Sequence, residues 1–198
     1  MTLSTLIFAT NNQHKVDEIK HIIGNQYHVL SLAEADIIAD IPEPYETLEE
    51  NASGKSKFIH NLIGQNCFSE DTGLEVEILN GEPGVKSARY AGDERSFSAN
   101  IEKLLYNMQG KANRSAQFRT VISLILNNEE HLFEGICKGV ITEEPHGESG
   151  FGYDPVFIPH GSDKTFAEMT MDEKSKYSHR RKATDKLIRF LKDEGAGQ

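Results

Sequence analysis

The chain has 198 residues, 37% of them hydrophobic, and a formal net charge of −10. That length suits one large domain or two closely joined lobes, with apolar content enough for a core. The negative charge argues against non-specific nucleic-acid binding, which needs a positive surface, but a local basic pocket or a bridging metal still allows a small phosphorylated ligand. Cys67 and Cys137 form no CxxC or Cys/His cluster, so zinc is not expected. Their apolar, strand-like contexts suit buried free thiols; the sequence leaves a disulfide open, with a reducing compartment as the simpler reading. No apolar stretch approaches the roughly 18 residues that span a bilayer. Met1 to Thr5 runs straight into a strand, without the basic start and apolar run of a secretory leader. A soluble, cytoplasmic protein is expected.

In chain order, Thr5 to Ala9 predicts a buried strand, followed by a polar loop over Thr10 to Lys15. Val16, Ile19, Ile22 and Ile23 recur at helical spacing up to Gly24. Tyr27 to Leu32 predicts a second strand. Pro42 and Pro44 keep Ile41 to Glu46 in a loop. Thr47 and Glu50 then fit a capping box before a helix carrying Leu48, Ala52, Phe58, Ile59, Leu62 and Ile63. The β-prone run Asn66-Cys67-Phe68 leads to Ser69-Glu70-Asp71-Thr72-Gly73, read as an acidic strand end. Leu74 to Leu79 predicts an extension as strand, with Asn80-Gly81 as a hairpin-like turn. Ile101, Leu104, Leu105 and Met108 mark another amphipathic helix, closed by Gly110.

Ala116, Phe118, Ile122, Leu124 and Leu126 share one face of a strand, opposite Gln117, Arg119 and Ser123. His131 to Thr142 is its expected antiparallel partner. Glu148 to Asp154 is a glycine-rich loop, and Asp154 to Pro159 leaves it as a short strand. The last helix starts near Ser178, a good N-cap, and buries Ala183, Leu187, Ile188 and Leu191. Glu194 to Gln198 is expected to fray.

Four groups carry candidate chemistry. Thr10, Asn11, Asn12, Gln13, His14 and Lys15 offer hydroxyl, amide and ammonium donors at a helix start, which suits a phosphate chain; the GxxxxGK[ST] P-loop is absent. Glu43, in the proline-fixed loop, and Lys55, on the next helix, can return to one pocket. Glu70 and Asp71 offer carboxylates to a divalent cation, which prefers oxygen ligands. Thr72 adds a hydroxyl, and Gly73 lets the backbone turn sharply. Phe151, Gly152, Tyr153 and Asp154, with the later Lys174, His179 and Arg180, offer aromatic faces and donors to a flat base. Taken singly, each group has an ordinary structural explanation: a solvated turn, a surface lysine, a packed aromatic.

Taken together they resemble the Ham1-like inosine/xanthosine triphosphate pyrophosphatases. The resemblance rests on Thr10-Asn11-Asn12-x-x-Lys15, Ser69 to Leu74, Gly81 to Tyr90, Gly150 to Pro155 and Glu173-Lys174 with Ser178-His179-Arg180. These blocks stand in the family's order and spacing from residue 6 to about residue 190. The resemblance implies an α/β fold over residues 1–198. That fold is an elongated mixed β-sheet flanked by helices, in two lobes with a nucleotide cleft between them. It implies that Thr10 to Lys15 and Lys55 hold the triphosphate and that Glu43 and Asp71 bind Mg²⁺. Asp71 would accept a proton and Thr72 would contact substrate. Phe151 to Asp154 would wall the base pocket, and Lys174, His179 and Arg180 would complete it. Arg89 matches the Ser-Ala-Arg element.

Many relatives have Asp-Asp-Ser-Gly where this chain has Glu70 to Gly73, which leaves the role of Glu70 open. The short Pro42 to Glu50 loop leaves Glu46 as an alternative to Glu43. The implied reaction hydrolyses ITP, dITP or XTP to a monophosphate and pyrophosphate, cleansing the nucleotide pool. The expected partners are purine nucleoside triphosphates and a second copy of the chain, with no nucleic acid and no membrane. A catalytically silent purine-nucleotide sensor on the same fold is the alternative.

Overall fold

The computed structural model describes residues 5–196, so the expectations for Met1 to Ser4 and for Gly197 and Gln198 lie outside it. The chain runs β1 (Thr5–Phe8), α1 (Gln13–Ile23), β2 (His28–Ser31), α2 (Leu48–Ile63), β3 (Cys67–Val76), β4 (Pro83–Gly84) and α3 (Phe97–Asn107). It continues through β5 (Ser115–Leu126), β6 (Glu129–Ile141), β7 (Phe157–Pro159), α4 (Met171–Ser175) and α5 (His179–Ala196). The expected α/β class holds. The strands form one mixed sheet in the order β2-β1-β3-β5-β6-β7, with β4 paired to β3 off that path.

β1 has parallel neighbours on both sides, Ile7 facing Cys67 and Phe8 facing Phe68 in register with β3. A strand in that place is covered on both faces, which is why Leu6 to Ala9 is a continuous apolar run. Its two faces feed two clusters. Leu6, Phe8 and Phe68 pack with Val16 and Ile19 of α1 and Leu187 of α5. Ile7, Ala9 and Cys67 pack with Ile59 of α2.

Two compact units emerge. The first takes the chain up to Asp71, Thr120–Gly135 and the chain from Arg180 on; the second takes Thr72–Arg119 and Ile136–His179. The core of the second joins Leu74 of β3, Leu104 of α3, Phe118 of β5, Ile141 of β6, Phe157 of β7 and Phe166. β5 and β6 are joined by Asn127 and Asn128, both at positive φ (+53° and +67°), the geometry of a two-residue hairpin turn.

Several boundaries differ from the sequence reading. The Thr10 to Lys15 loop ends early, because Asn12 caps α1 by accepting the Lys15 N–H at 3.3 Å; Gln13, His14 and Lys15 are helical. The acidic pair is not at a strand end: β3 runs through it for ten residues. Gly73 makes no turn. It lies in β3, where a Cβ would stand 2.6 Å from the Gly84 carbonyl oxygen of the paired β4, so the side chain is missing for close approach. Glu77–Leu79 is a 3₁₀ turn rather than strand, and so is Asp154–Val156. Thr47 caps α2 through the Glu50 N–H at 3.1 Å, but its hydroxyl donates to the Glu50 carboxylate, so the reciprocal half of the box is not made there. The reciprocal box forms at Thr170 and Glu173, which start the unforeseen α4. α5 continues to Ala196 instead of fraying from Glu194. No helix among the described residues is long and apolar enough to cross a membrane.

Candidate functional site

In the first unit, Thr10 and Asn12 serve the start of α1. Thr10 Oγ1 accepts the Asn12 N–H at 3.2 Å, and Asn11 donates its amide to the Ala39 carbonyl at 3.2 Å. This cap fixes the helical turn that carries Lys15. Gln13 is exposed and donates to Asp17, and His14 is exposed beside it. Lys15 Nζ lies 3.1 Å from Glu70 Oε1.

Glu70 is 2% exposed and Arg180 is 1% exposed. The Arg180 guanidinium grips Glu70 with two bonds of 2.8 Å, from Nε and one Nη, while its other Nη pairs with Glu18 of α1. Two parallel charge-assisted bonds are the strongest form of this pairing. Burial alone would raise the Glu70 carboxyl, but the charges of Arg180 and Lys15 and their hydrogen bonds outweigh it and hold it well below the ordinary carboxylate range. Burial pulls the Arg180 guanidinium down, and Glu70 and Glu18 more than restore it. Glu70 therefore stands ionised as the shared counter-anion of two cations.

The second acid is placed differently. Lys55 of α2 reaches Glu43 Oε1 at 2.8 Å and Asp71 Oδ1 at 2.9 Å. Of the two loop acids it is Glu43, not the exposed Glu46, that meets the ammonium shared with Asp71. Burial raises the Asp71 carboxyl above its ordinary value, against the pull of Lys55 and, at longer range, Lys15. Burial lowers Lys55, but Asp71 and Glu43 outweigh it and keep the amine protonated. Two carboxylates converging on one buried cation form a hard-oxygen donor set. Among the described residues no group of three or more potential ligands gathers. A set of two suits Mg²⁺, which commonly takes one or two carboxylates and fills its remaining positions with water and substrate phosphates.

In the second unit, Lys174 of α4 gives Asp154 Oδ2 a hydrogen bond of 2.6 Å. Its ammonium lies 5.3 Å from the ring centres of Phe151 and of Phe166, close enough for cation–π attraction. The same Asp154 oxygen accepts the Phe151 N–H at 2.9 Å. Gly150 stands at φ +77°, and a Cβ there would run into the Asp154 carboxylate. The loop thus folds around one buried carboxylate, leaving the Phe151 ring half-exposed beside a cation. Tyr153 is buried in the core, and its hydroxyl donates to the Ser87 carbonyl at 2.8 Å. Ser87 in turn accepts the Leu74 N–H at 2.9 Å and donates to the Gly84 carbonyl at 2.6 Å. The Ser-Ala-Arg element thereby ties Tyr153 to β3 and β4. The His179 ring stacks on Phe118 with centroids 4.7 Å apart.

Of the expected site residues, the first unit thus brings together Lys15, Lys55, Glu43, Asp71 and Arg180, with Thr10, Asn11 and Asn12 shaping the helix start. The second brings together Phe151, Asp154 and Lys174; Tyr153, in the same loop, turns into the core instead, and Gly152, at φ +62°, belongs to that loop. Thr72, half-buried, follows Asp71 on β3. Gln13 and His14 stay on the exposed side of α1. Sequence reasoning missed Glu18, and it quoted Ser87 within the Gly81 to Tyr90 block without giving it a role. Glu18 follows Lys15 by three on α1, one turn along the same face, and that spacing was its available signal.

Residues 6–190 match the model of the Ham1 family. A protein of Flavobacterium psychrophilum named dITP/XTP pyrophosphatase is 49% identical over 188 residues, covering 95% of this chain and 99% of the relative. One of the same name from Bacillus subtilis is 45% identical over 189 residues, covering 93% and 96%. Among solved structures, the Staphylococcus aureus Ham1 protein superimposes with a TM-score of 0.87 at 42% identity, covering 96% of this chain and all of the other. A Mycobacterium abscessus nucleoside-triphosphatase, dITP/XTP pyrophosphatase, gives 0.75 at 34%, covering 92% and 98%.

Proposed function

Since the chain belongs to the Ham1 family, we propose that it hydrolyses dITP, ITP and XTP to the monophosphate and pyrophosphate and so clears non-standard purines from the nucleotide pool. Near-full-length relatives named for that activity support the reading. What supports it most within the molecule is the buried Lys55 ammonium, held between Glu43 and Asp71. It combines a phosphate-seeking cation with two carboxylates suited to Mg²⁺ in one place.

Glu43 and Asp71 would hold Mg²⁺, which neutralises charge on the polyphosphate and makes water a better acid. Lys15 and Lys55 then turn from their carboxylates to phosphate oxygens, with Thr10 to His14 presenting the start of α1 to the chain of phosphates. Asp71, with its carboxyl raised by burial, accepts the proton of the attacking water. In-line attack at phosphorus asks chiefly for positioning and charge stabilisation, which these groups provide. Thr72 contacts the substrate beside Asp71. The purine stacks on Phe151 in the loop that continues through Gly152, Tyr153 and Asp154, while Lys174, His179 and Arg180 supply donors or hold them. A 6-oxo purine accepts a hydrogen bond where adenine would present its own donor, a mismatch costing about 1–3 kcal/mol.

A cytoplasmic setting is part of the proposal, supported by the two buried free thiols. So is a homodimer, supported by the exposed Phe58 and Leu62 one turn apart on α2; light scattering behind gel filtration measures it. The activity is tested by incubating the protein with dITP, ITP, XTP, GTP and ATP plus Mg²⁺ and separating the products. Monophosphate with pyrophosphate, strongest for the first three, is expected. Diphosphate with orthophosphate would overturn the reading.

A further inference from the structure

α2 is held by more than apolar packing. Ser56 and Ser123 are both 0% exposed, one on α2 and one on β5. Their hydroxyl oxygens are 2.6 Å apart. Ser123 donates to Glu130 Oε1 of β6 at 2.8 Å. With that proton committed, the short contact needs Ser56 as its donor, even though the Ser56 hydroxyl also lies 3.0 Å from the Ser53 carbonyl. The order Ser56 to Ser123 to Glu130 is then the one that gives each oxygen a proton or an acceptor. Burial would raise Glu130, but Lys57, Ser53 and Ser123 outweigh it, so the relay ends on a carboxylate. Lys57 closes it from α2 with a 2.6 Å ion pair to Glu130.

The rest of α2 is tied towards β3. Ser69 donates to the Ala52 carbonyl, and the Cys67 thiol reaches the Ser56 carbonyl at 3.3 Å. A helix held on one flank can still rotate about its axis; one held on two cannot. Lys55 lies between these attachments, next to Ser56. Its ammonium meets two carboxylates at 2.8 and 2.9 Å, so a rotation of α2 would carry the root of the Lys55 side chain away from both.

We propose that the Ser56–Ser123–Glu130 relay is a positioning device for Lys55: it locks the rotation of α2 and so sets where the ammonium stands. Its part in turnover rests on the function proposed above; its part in placing Lys55 does not. Ser56, Ser123 and Glu130 touch no reacting atom in this scheme and act through Lys55.

The experiment has two arms. In the first, brief acetic-anhydride labelling read by mass spectrometry reports the reactivity of each lysine in the wild-type, Ser123→Ala, Glu130→Ala and Glu130→Gln proteins. Lys55 reactivity should rise several-fold in Glu130→Ala, which removes every tie from Glu130 to α2, and by less in Ser123→Ala, which leaves Lys57 and Ser53 on Glu130. Lys174, buried in the other unit, should not change, which separates local release from general loosening. Glu130→Gln keeps an acceptor for Ser123 while losing the Lys57 pair, and should behave as wild-type. Unchanged Lys55 reactivity in both alanine variants overturns the proposal, whether or not the protein turns over dITP. Should Ser123→Ala fail to fold, Glu130→Ala and its glutamine rescue decide the matter. In the second arm, Ser123→Ala should lower kcat/KM for dITP roughly five- to tenfold, the worth of one well-placed hydrogen bond. In a Lys55→Met background the same change should cost less than about twofold. Full additivity would mean that the relay acts on something other than Lys55 and would overturn its role in turnover. No activity in the wild-type would sink the proposed function and leave the labelling result to decide the relay.

Discussion

Asp71 and Glu70 are neighbours in sequence, and alternation along β3 sends them to different partners. Asp71 shares a lysine with Glu43 and has its carboxyl raised by burial, the setting of a group that can take a proton. Asp71→Asn keeps the shape and removes the charge. Pyrophosphate release from dITP at saturating Mg²⁺ should fall by about two to four orders of magnitude, with an unchanged circular dichroism spectrum; near-normal turnover in the folded variant would remove Asp71 from catalysis. Glu70 is a charge anchor. Glu70→Gln would leave Arg180 and Lys15 without their shared buried counter-charge, at a cost of about 3–5 kcal/mol in chemical denaturation. The sign with pH follows from a carboxyl held below its ordinary range. Its stabilisation is complete above the unfolded value of about 4.3 and drains away as pH falls from there towards the depressed folded value. The gap between wild-type and Glu70→Gln should stay constant from pH 7 to 5 and narrow only in more acidic solution. A gap already closing near pH 6 would mean that Glu70 is not held ionised as described.

At the scale of elements, β3 decides how the site is built, and it is also where the sequence was hardest to read. Ser69 to Gly73 looks like a turn, because polar residues and a glycine seldom stay in a buried central strand. What permits it lies far away along the chain. Lys15 and Arg180 offset the Glu70 charge, Lys55 that of Asp71, and the Gly84 backbone fills the space that Gly73 leaves. Local pattern carries none of those distant pairings. By contrast α1, with Val16, Ile19 and Ile23 at helical spacing, and β1, with its apolar run, were legible because their burial is written in their own periodicity. The five motif blocks were legible as a set for the same reason that each was weak alone: their meaning lies in order and spacing. Gly73→Ala tests the strand. Its Cβ would meet backbone, which cannot swing aside, so β4 must separate from β3. A loss of about 1–3 kcal/mol is expected, visible as a lower denaturation midpoint, together with a weaker affinity for dITP because Thr72 and Asp71 shift with the strand. A Gly73→Ala protein of wild-type stability would show that β3 and β4 do not approach so closely.

At the scale of the molecule, neither compact unit is a continuous piece of chain. The chain passes from one to the other after Asp71, Arg119, Gly135 and His179. The first three passages fall inside β3, β5 and β6, and the fourth falls in the first turn of α5. None falls in a linker of the kind that separates independent domains. Melting one unit alone would require three strands to fray halfway along, breaking ladder bonds in the remainder. Unfolding should therefore be a single cooperative transition. For 198 residues the calorimetric enthalpy should be about 140 kcal/mol near 60 °C, with a van't Hoff enthalpy equal to it. Independent units would instead give two transitions, or one broad peak whose van't Hoff enthalpy is about half the calorimetric value. That ratio decides whether the two units fold as one.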